Sequence, residues 1–167
     1  MLKQNSFCSY CGTRFPPDGI WPRKCAGCNA TSYLNPLPVV VILVPLSCGL
    51  VVIRRNIEPQ KGWLALPGGY IDLGETWQEA GRREVFEETG IEIDSREIKL
   101  YDVMNGLDGT LVIFGLAARV TLEAVQPFQS EETQEVLLID SPIELAFSMH
   151  SRMVRRYFDE IATREDQ

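Results

Sequence analysis

Histidine is almost absent from this 167-residue chain, occurring once, at His150. Neither Ser47 nor Ser148 therefore has an evident His–carboxylate arrangement beside it, and a covalent serine intermediate is not expected. Long apolar runs are missing too. The longest candidate, 39–46, is broken by Pro45 and falls far short of the roughly 18 residues of a membrane span. Residues 1–6 lack the basic-then-apolar pattern of a secretory signal. Positive charge is in the minority, with 16 Lys and Arg against 23 Asp and Glu and a net charge of -7. That balance argues against broad binding to nucleic acid or a membrane surface. These absences leave a cytoplasmic protein as the expectation.

What is present is an ordinary globular balance, 45% hydrophobic and 23% charged. It suits one medium domain, or a small domain plus a small module. Charge is uneven: residues 1–35 hold Lys3, Arg14, Arg23 and Lys24 against Asp18 alone, and the rest is strongly acidic. Four of the five cysteines crowd into the first 28 residues as Cys8, Cys11, Cys25 and Cys28, in the pattern C-x2-C-x13-C-x2-C. Each pair is a short turn whose sulfurs can reach one ion, and the intervening loop lets the pairs meet. Four ligands leave no open coordination position, so a zinc ion there is structural and substitutes for a core that some 30 residues cannot build. Two disulfides or a redox C-x-x-C are the alternatives. The boundary is expected after residue 34, giving a zinc-binding module at 1–34 and a second domain at 35–167. Cys48 stands apart and reads as a buried free thiol.

Residues 33–38 carry two prolines and read as a stiff linker. Beyond it, strands are expected over 39–44, 50–54, 63–66, 98–104, 110–120 and 135–140, with turns at 45–49 and 105–109. Helices are expected over 77–89 and 149–163. This order implies a mixed sheet with helices on its faces.

The segment Gly68–Ile91 carries the strongest chemical signal. Thr76 and Glu79 form a capping box at a helix start, and Gly90 suits a left-handed C-terminal cap. Glu84, Glu87 and Glu88 are spaced i, i+3, i+4, which places them on one face. Three carboxylates that close repel one another, and divalent cations would convert the repulsion into binding. By themselves they also fit a plain solvated face. Gly69, Glu75, Arg83, Glu84, Val85, Glu87, Glu88, Gly90 and Ile91 match every fixed position of G-x5-E-x7-R-E-U-x-E-E-x-G-U, where U is a bulky aliphatic residue. The chain thus resembles the Nudix hydrolases.

That resemblance implies a Nudix-type α/β/α sandwich with a mixed sheet, preceded by a small zinc ribbon. It implies Mg²⁺ or Mn²⁺ held by Glu84, Glu87, Glu88 and the carbonyl of Gly68, with Arg83 orienting the glutamates and Glu75 in support. Glu135 resembles a downstream glutamate that joins the metals or acts as base; Glu84, Glu131 and Glu132 are rivals for the base. For substrate, Arg54 and Arg55 are candidate phosphate donors, with a solvated strand end as the plainer reading. Trp63, Tyr101 and Phe147 are candidate stacking partners, each also a natural core residue. Phe147, in the 145–148 patch, is the first choice. His150 reads as structural or solvated.

A ribbon joined to such a domain resembles two branches of the family. One cleaves NADH, but its serine–glutamine–proline–tryptophan–proline–phenylalanine stretch has no counterpart in 92–104. The other cleaves FAD and ADP-ribose, and the 55–57 and 63–69 runs look similar to it. The expected activity is hydrolysis of a nucleoside diphosphate linked to another moiety, releasing AMP. NADH cleavage is the alternative. A non-catalytic nucleotide sensor and a ribbon-based adaptor are the readings from other classes; intact binding without cleavage would mark the first and a gel shift at low salt the second. The expected partner is a small nucleotide-type molecule, with nucleic acid disfavoured, no membrane, and a homodimer allowed.

Overall fold

The computed structural model describes residues 5–47, 49–106, 108–121 and 128–165; Cys48 lies outside them. The chain divides into two compact units, Met1–Pro36 and Leu37–Gln167.

In the first unit, two-residue strands β1 (Arg23–Lys24) and β2 (Thr31–Ser32) pair antiparallel. Its buried apolar cluster is Cys8, Phe15 and Cys25 with Trp21 packed against it. The Arg23 guanidinium lies 4.7 Å over the Trp21 ring and 5.7 Å over Phe15.

The second unit is built on two sheets. One runs β7 (Gly68–Tyr70), β3 (Leu37–Leu43), β9 (Thr110–Leu116), β8 (Lys99–Asn105). It is mixed, because β3 and β9 are parallel and the other pairs antiparallel. The second runs β10 (Thr133–Ile139), β5 (Gly49–Arg55), β4 (Pro45–Leu46), with β6 (Leu64–Ala65) also on β5. Strand period 2 sorts the core into two layers. Val41, Leu43, Leu50 and Val52 face a cluster that includes Met153, Val154 and Tyr157 of helix α2 (Ser148–Glu165). Val40, Ile42 and Val51, interleaved with them, face Ala80 and Val85 of helix α1 (Trp77–Thr89) together with Ile91, Ile93 and Ile98. The expected α/β/α sandwich is therefore present.

Helix α1 starts and ends where local chemistry demands. Thr76 caps it with both halves of the capping box, and Gly90 takes the left-handed conformation at φ 69°. At Gly81 an added Cβ would come within 2.6 Å of the Ile42 terminal methyl, so the helix seats close on β3 there. Some expected bounds shift. The strand expected from 39 begins at Leu37, inside the proline-bearing 33–38 segment, and pairs with β9 from its first residue. Pro45 and Leu46, expected in a turn, form β4 against Leu50 and Gly49. The strand expected over 110–120 stops at Leu116, and Val120 keeps only a bridge to Leu46. No helix among the described residues is long and apolar enough to cross a membrane.

Candidate functional site

In the first unit the four thiols meet. Cys8 and Cys28 Sγ are 3.7 Å apart, Cys11 and Cys25 Sγ 3.5 Å, and all four lie within 4.8 Å of one another. Ligand sulfurs about 2.3 Å from a tetrahedral zinc sit about 3.8 Å apart, so the cluster could form a zinc site. All four are free thiols, not two disulfides. Backbone amides supply the electrostatics: the Tyr10 N–H lowers the Cys8 pKa and the Cys28 N–H lowers that of Cys25. Thr13 Oγ1 lies 3.2 Å from Cys11 Sγ and lowers Cys11 likewise. Thiols made easier to ionise are ready ligands; Cys28 moves the other way, up to about 12, because the Ala30 N–H is outweighed by hydrogen bonds with the neighbouring thiols and by burial.

In the second unit, a cavity of about 1300 Å³ opens where β7, α1, the segment before β10 and the start of α2 come together. Its acidic end is organised by one arginine. Arg83 holds Glu75 through two nitrogens, at 2.7 and 3.2 Å, and donates to Glu84 Oε1 at 2.7 Å, Glu87 Oε2 at 3.3 Å and the Tyr70 carbonyl at 3.0 Å. The Glu75 hydrogen bonds lead in raising the Arg83 pKa, and Arg83 leads in lowering that of Glu75. Glu75 also accepts the Asp72 N–H at 2.7 Å, which closes the loop ahead of α1.

The three helix glutamates sit in graded surroundings. Glu87 is exposed, Glu84 is largely covered, and Glu88 is buried at 4% exposure. Glu88 Oε2 accepts the Gly68 N–H at 2.8 Å. Burial nonetheless pushes the Glu88 pKa up to about 8, against that N–H, with Glu84 and Glu132 adding repulsion. Glu84 is raised chiefly by burial as well, against Arg83. A solvated acidic face is thus ruled out for Glu88. Hard oxygens kept close at a cost in desolvation suit a divalent cation, which would remove the penalty. Gly69 matters through its lack of a side chain: an added Cβ would stand 2.5 Å from Glu84 Oε1.

The remaining candidates divide. Arg55, Phe147, Glu131 and Glu132 line the cavity, and the Arg55 guanidinium lies 5.2 Å over the Phe147 ring. Arg54, Trp63 and Glu135 are not brought to it. Neighbours on a strand face opposite ways: Arg54 turns from Arg55 to its cross-strand partner Glu135, in an ion pair of 2.6 Å, and donates to the Gly62 carbonyl. Trp63 is 54% exposed, so it is not core, and it is not among the residues that line the cavity. Tyr101 packs on the α2 cluster under the Arg156 guanidinium. His150, expected to be structural or solvated, is buried, and it is also one of the residues that line the cavity. Its position in the chain offered no signal of this, since α2 and the backbone at Leu66 meet only in the fold.

Comparison with known proteins adds the following. The NUDIX domain family profile matches residues 36–156. The NAD-capped RNA hydrolase NudC of Salmonella heidelberg (strain SL476) is 27% identical over 92 residues, 54% of this chain and 35% of that protein. The chain therefore matches about a third of the length of such curated relatives. The crystal structure of a NUDIX hydrolase from Nitrosomonas europaea superposes with a TM-score of 0.78 at 25% identity, over 95% of this chain and 93% of that one. A bifunctional NMN adenylyltransferase/ADP ribose pyrophosphatase from Francisella tularensis, complexed with AMP and a manganese ion, superposes at 0.56 with 21% identity, over 80% of this chain and 42% of that one.

Proposed function

The chain belongs to the NUDIX family, and on that premise we propose that it hydrolyses the phosphoanhydride of a nucleoside diphosphate linked to a second moiety, releasing AMP. Magnesium or manganese would be held by Glu84, Glu87, Glu88 and the Gly68 carbonyl, and zinc by Cys8, Cys11, Cys25 and Cys28. The cysteine module would comprise residues 1–34 and the hydrolase domain 35–167. The observation that carries this reading is Glu88, buried on the cavity wall with Glu84 and Glu132 bearing on it.

The bound cations would neutralise phosphate charge and lower the pKa of a coordinated water. The protein's own residues do the rest. Arg83 keeps Glu84 and Glu87 turned to one side, and the Gly68 N–H fixes the Glu88 rotamer. Glu132 faces the acidic end and is our choice for the group that accepts the water's proton. Glu135, engaged with Arg54 outside the cavity, is the weaker candidate. Arg55 supplies a fork of donors for a phosphate oxygen, with Phe147 beneath it offering a ring for stacking. Pockets for drug-sized ligands span about 300–1,000 Å³, so a cavity of about 1300 Å³ suits a two-part ligand such as FAD or ADP-ribose. The Francisella enzyme, by its name an ADP-ribose pyrophosphatase, and NudC, by its name a hydrolase of NAD-capped RNA, point to the same bond class.

The test is a panel of FAD, ADP-ribose, NADH and NAD-capped RNA with Mg²⁺ or Mn²⁺, products separated by chromatography. AMP, or 5′-monophosphate RNA from the capped substrate, is the expected product. No turnover of any member removes the proposal.

A further inference from the structure

His150 has no task in the hydrolysis outlined above. It is the only histidine of the chain and is 6% exposed, in the first turn of α2. Its Nδ1 accepts the Leu66 N–H at 3.2 Å. A neutral imidazole that accepts at one nitrogen carries its proton on the other, so the bond to Leu66 places the proton on Nε2. Phe114 stands edge-on to the ring at 5.7 Å and Phe147 lies tilted at 5.1 Å, which fixes the ring plane.

Among the described residues no hydrogen-bond partner meets Nε2. The fully buried side-chain polar atoms left without a partner, among the described residues, are the Tyr101 hydroxyl and Thr133 Oγ1, and Nε2 is not one of them. His150 lines the cavity proposed for substrate, together with Leu66, Gly68, Arg55 and Phe147. Leu66 is two residues from Gly68, whose N–H fixes Glu88, and the charge of Arg55 bears on both Glu88 and His150. Donor, guanidinium and acidic end therefore converge on the place where a diphosphate would lie. Burial, seconded by Arg55, lowers the His150 pKa to about 3, so the ring remains a neutral donor.

We infer that His150 binds substrate directly, donating from Nε2–H to an oxygen of the diphosphate beside Arg55, while its Nδ1 ties helix α2 to the backbone leading to Gly68. The ligand half of this inference rests on the hydrolase reading; the tautomer does not. A neutral donor adds direction without adding charge, complementing Arg55.

With one histidine, ¹⁵N-histidine labelling of the whole protein yields a single imidazole, and long-range ¹H–¹⁵N spectra read its tautomer. The expected result is the Nε2–H form, unchanged between about pH 5 and 8, the range in which an ordinary histidine titrates. Addition of α,β-methylene-ADP with Mg²⁺, a diphosphate that cannot be cleaved at the bridge, should move the Nε2–H resonance downfield; adenosine should not. An Nδ1–H tautomer, or an Nε2–H signal that stays put while backbone amides near Gly68 respond to the diphosphate, overturns the inference. In kinetics, His150→Phe should raise KM roughly 10- to 100-fold, the range for losing a hydrogen bond to a charged group, with kcat nearly kept. His150→Gln, which can accept from Leu66 and still donate, should recover most of that. Equal KM for the two variants and the parent also overturns it. Should His150→Phe fail to fold, the spectra of the unmodified protein still decide. A probe that perturbs no signal, with no panel substrate cleaved, defeats the hydrolase reading and the ligand half together, and leaves the tautomer measurement standing apart.

Discussion

Cys8, Phe15 and Cys25, with Trp21 against them, make up the buried apolar cluster of the first unit, whereas the second buries two separate layers on the two faces of its strands. A fully buried phenylalanine contributes about 3 kcal/mol at most, and ordering each residue's backbone costs about 1–2 kcal/mol. Apolar burial alone therefore does not hold the first unit, and an ion on the four sulfurs, as proposed, would supply the rest. In the second unit the relation is reversed. Packing holds the fold, and the packed scaffold forces Glu84 and Glu88 into surroundings unfavourable to their charge. On the proposed sites, metal ligands would stabilise one unit, and in the other they would be a burden that stability elsewhere carries. The same kind of site thus has opposite structural meaning in the two halves of the chain.

That contrast can be broken most directly at the cysteines. If the sulfurs hold zinc as proposed, stripping it with a chelator should cost the first unit on the order of 10 kcal/mol of folding free energy, and Cys25→Ser a part of that. Hydrogen exchange should then show loss of amide protection over residues 5–36 and retention over 37–165. Protection lost in both units, or in neither, ends the comparison. Next in size is Glu88→Gln. Turnover should fall at least about 100-fold, or roughly 2.7 kcal/mol of barrier, while the melting temperature in metal-free buffer does not drop, because an amide in that place carries no desolvated charge. A variant that melts earlier would show Glu88 to be a stabilising residue after all. The choice of base gives a smaller, sharper effect: Glu132→Gln should slow turnover about 10-fold or more, within the range for general-base removal, and Glu135→Gln should barely change it. The reverse ranking would return the role to Glu135. Smallest is Thr76→Ala, expected to cost about 1 kcal/mol in denaturant unfolding by removing the cap of α1. Its effect should stay within the second unit.

The family, the glutamate helix and the cysteine cluster were legible from residues alone, because what defines them is short-ranged. Capping, a left-handed glycine and the i, i+3, i+4 spacing act within a turn or two, and α1 runs over the expected 77–89 with Thr76 and Gly90 at its ends. Two C-x-x-C turns likewise need only a loop between them to meet. Alternation along β5 implies that Arg54 and Arg55 diverge, but only the pairing of Arg54 with Glu135, 81 residues on, decides which of them reaches the cavity. The burial of Glu88 follows from α1 lying on β3 and β7, and the donor role inferred for His150 from a backbone amide 84 residues earlier. Spacing along the chain thus determined which groups this protein brings forward as candidate metal ligands. Which of them are desolvated, and which face a substrate, was left to contacts between segments distant in sequence, since burial and facing direction belong to the packed layers and not to any one stretch of chain.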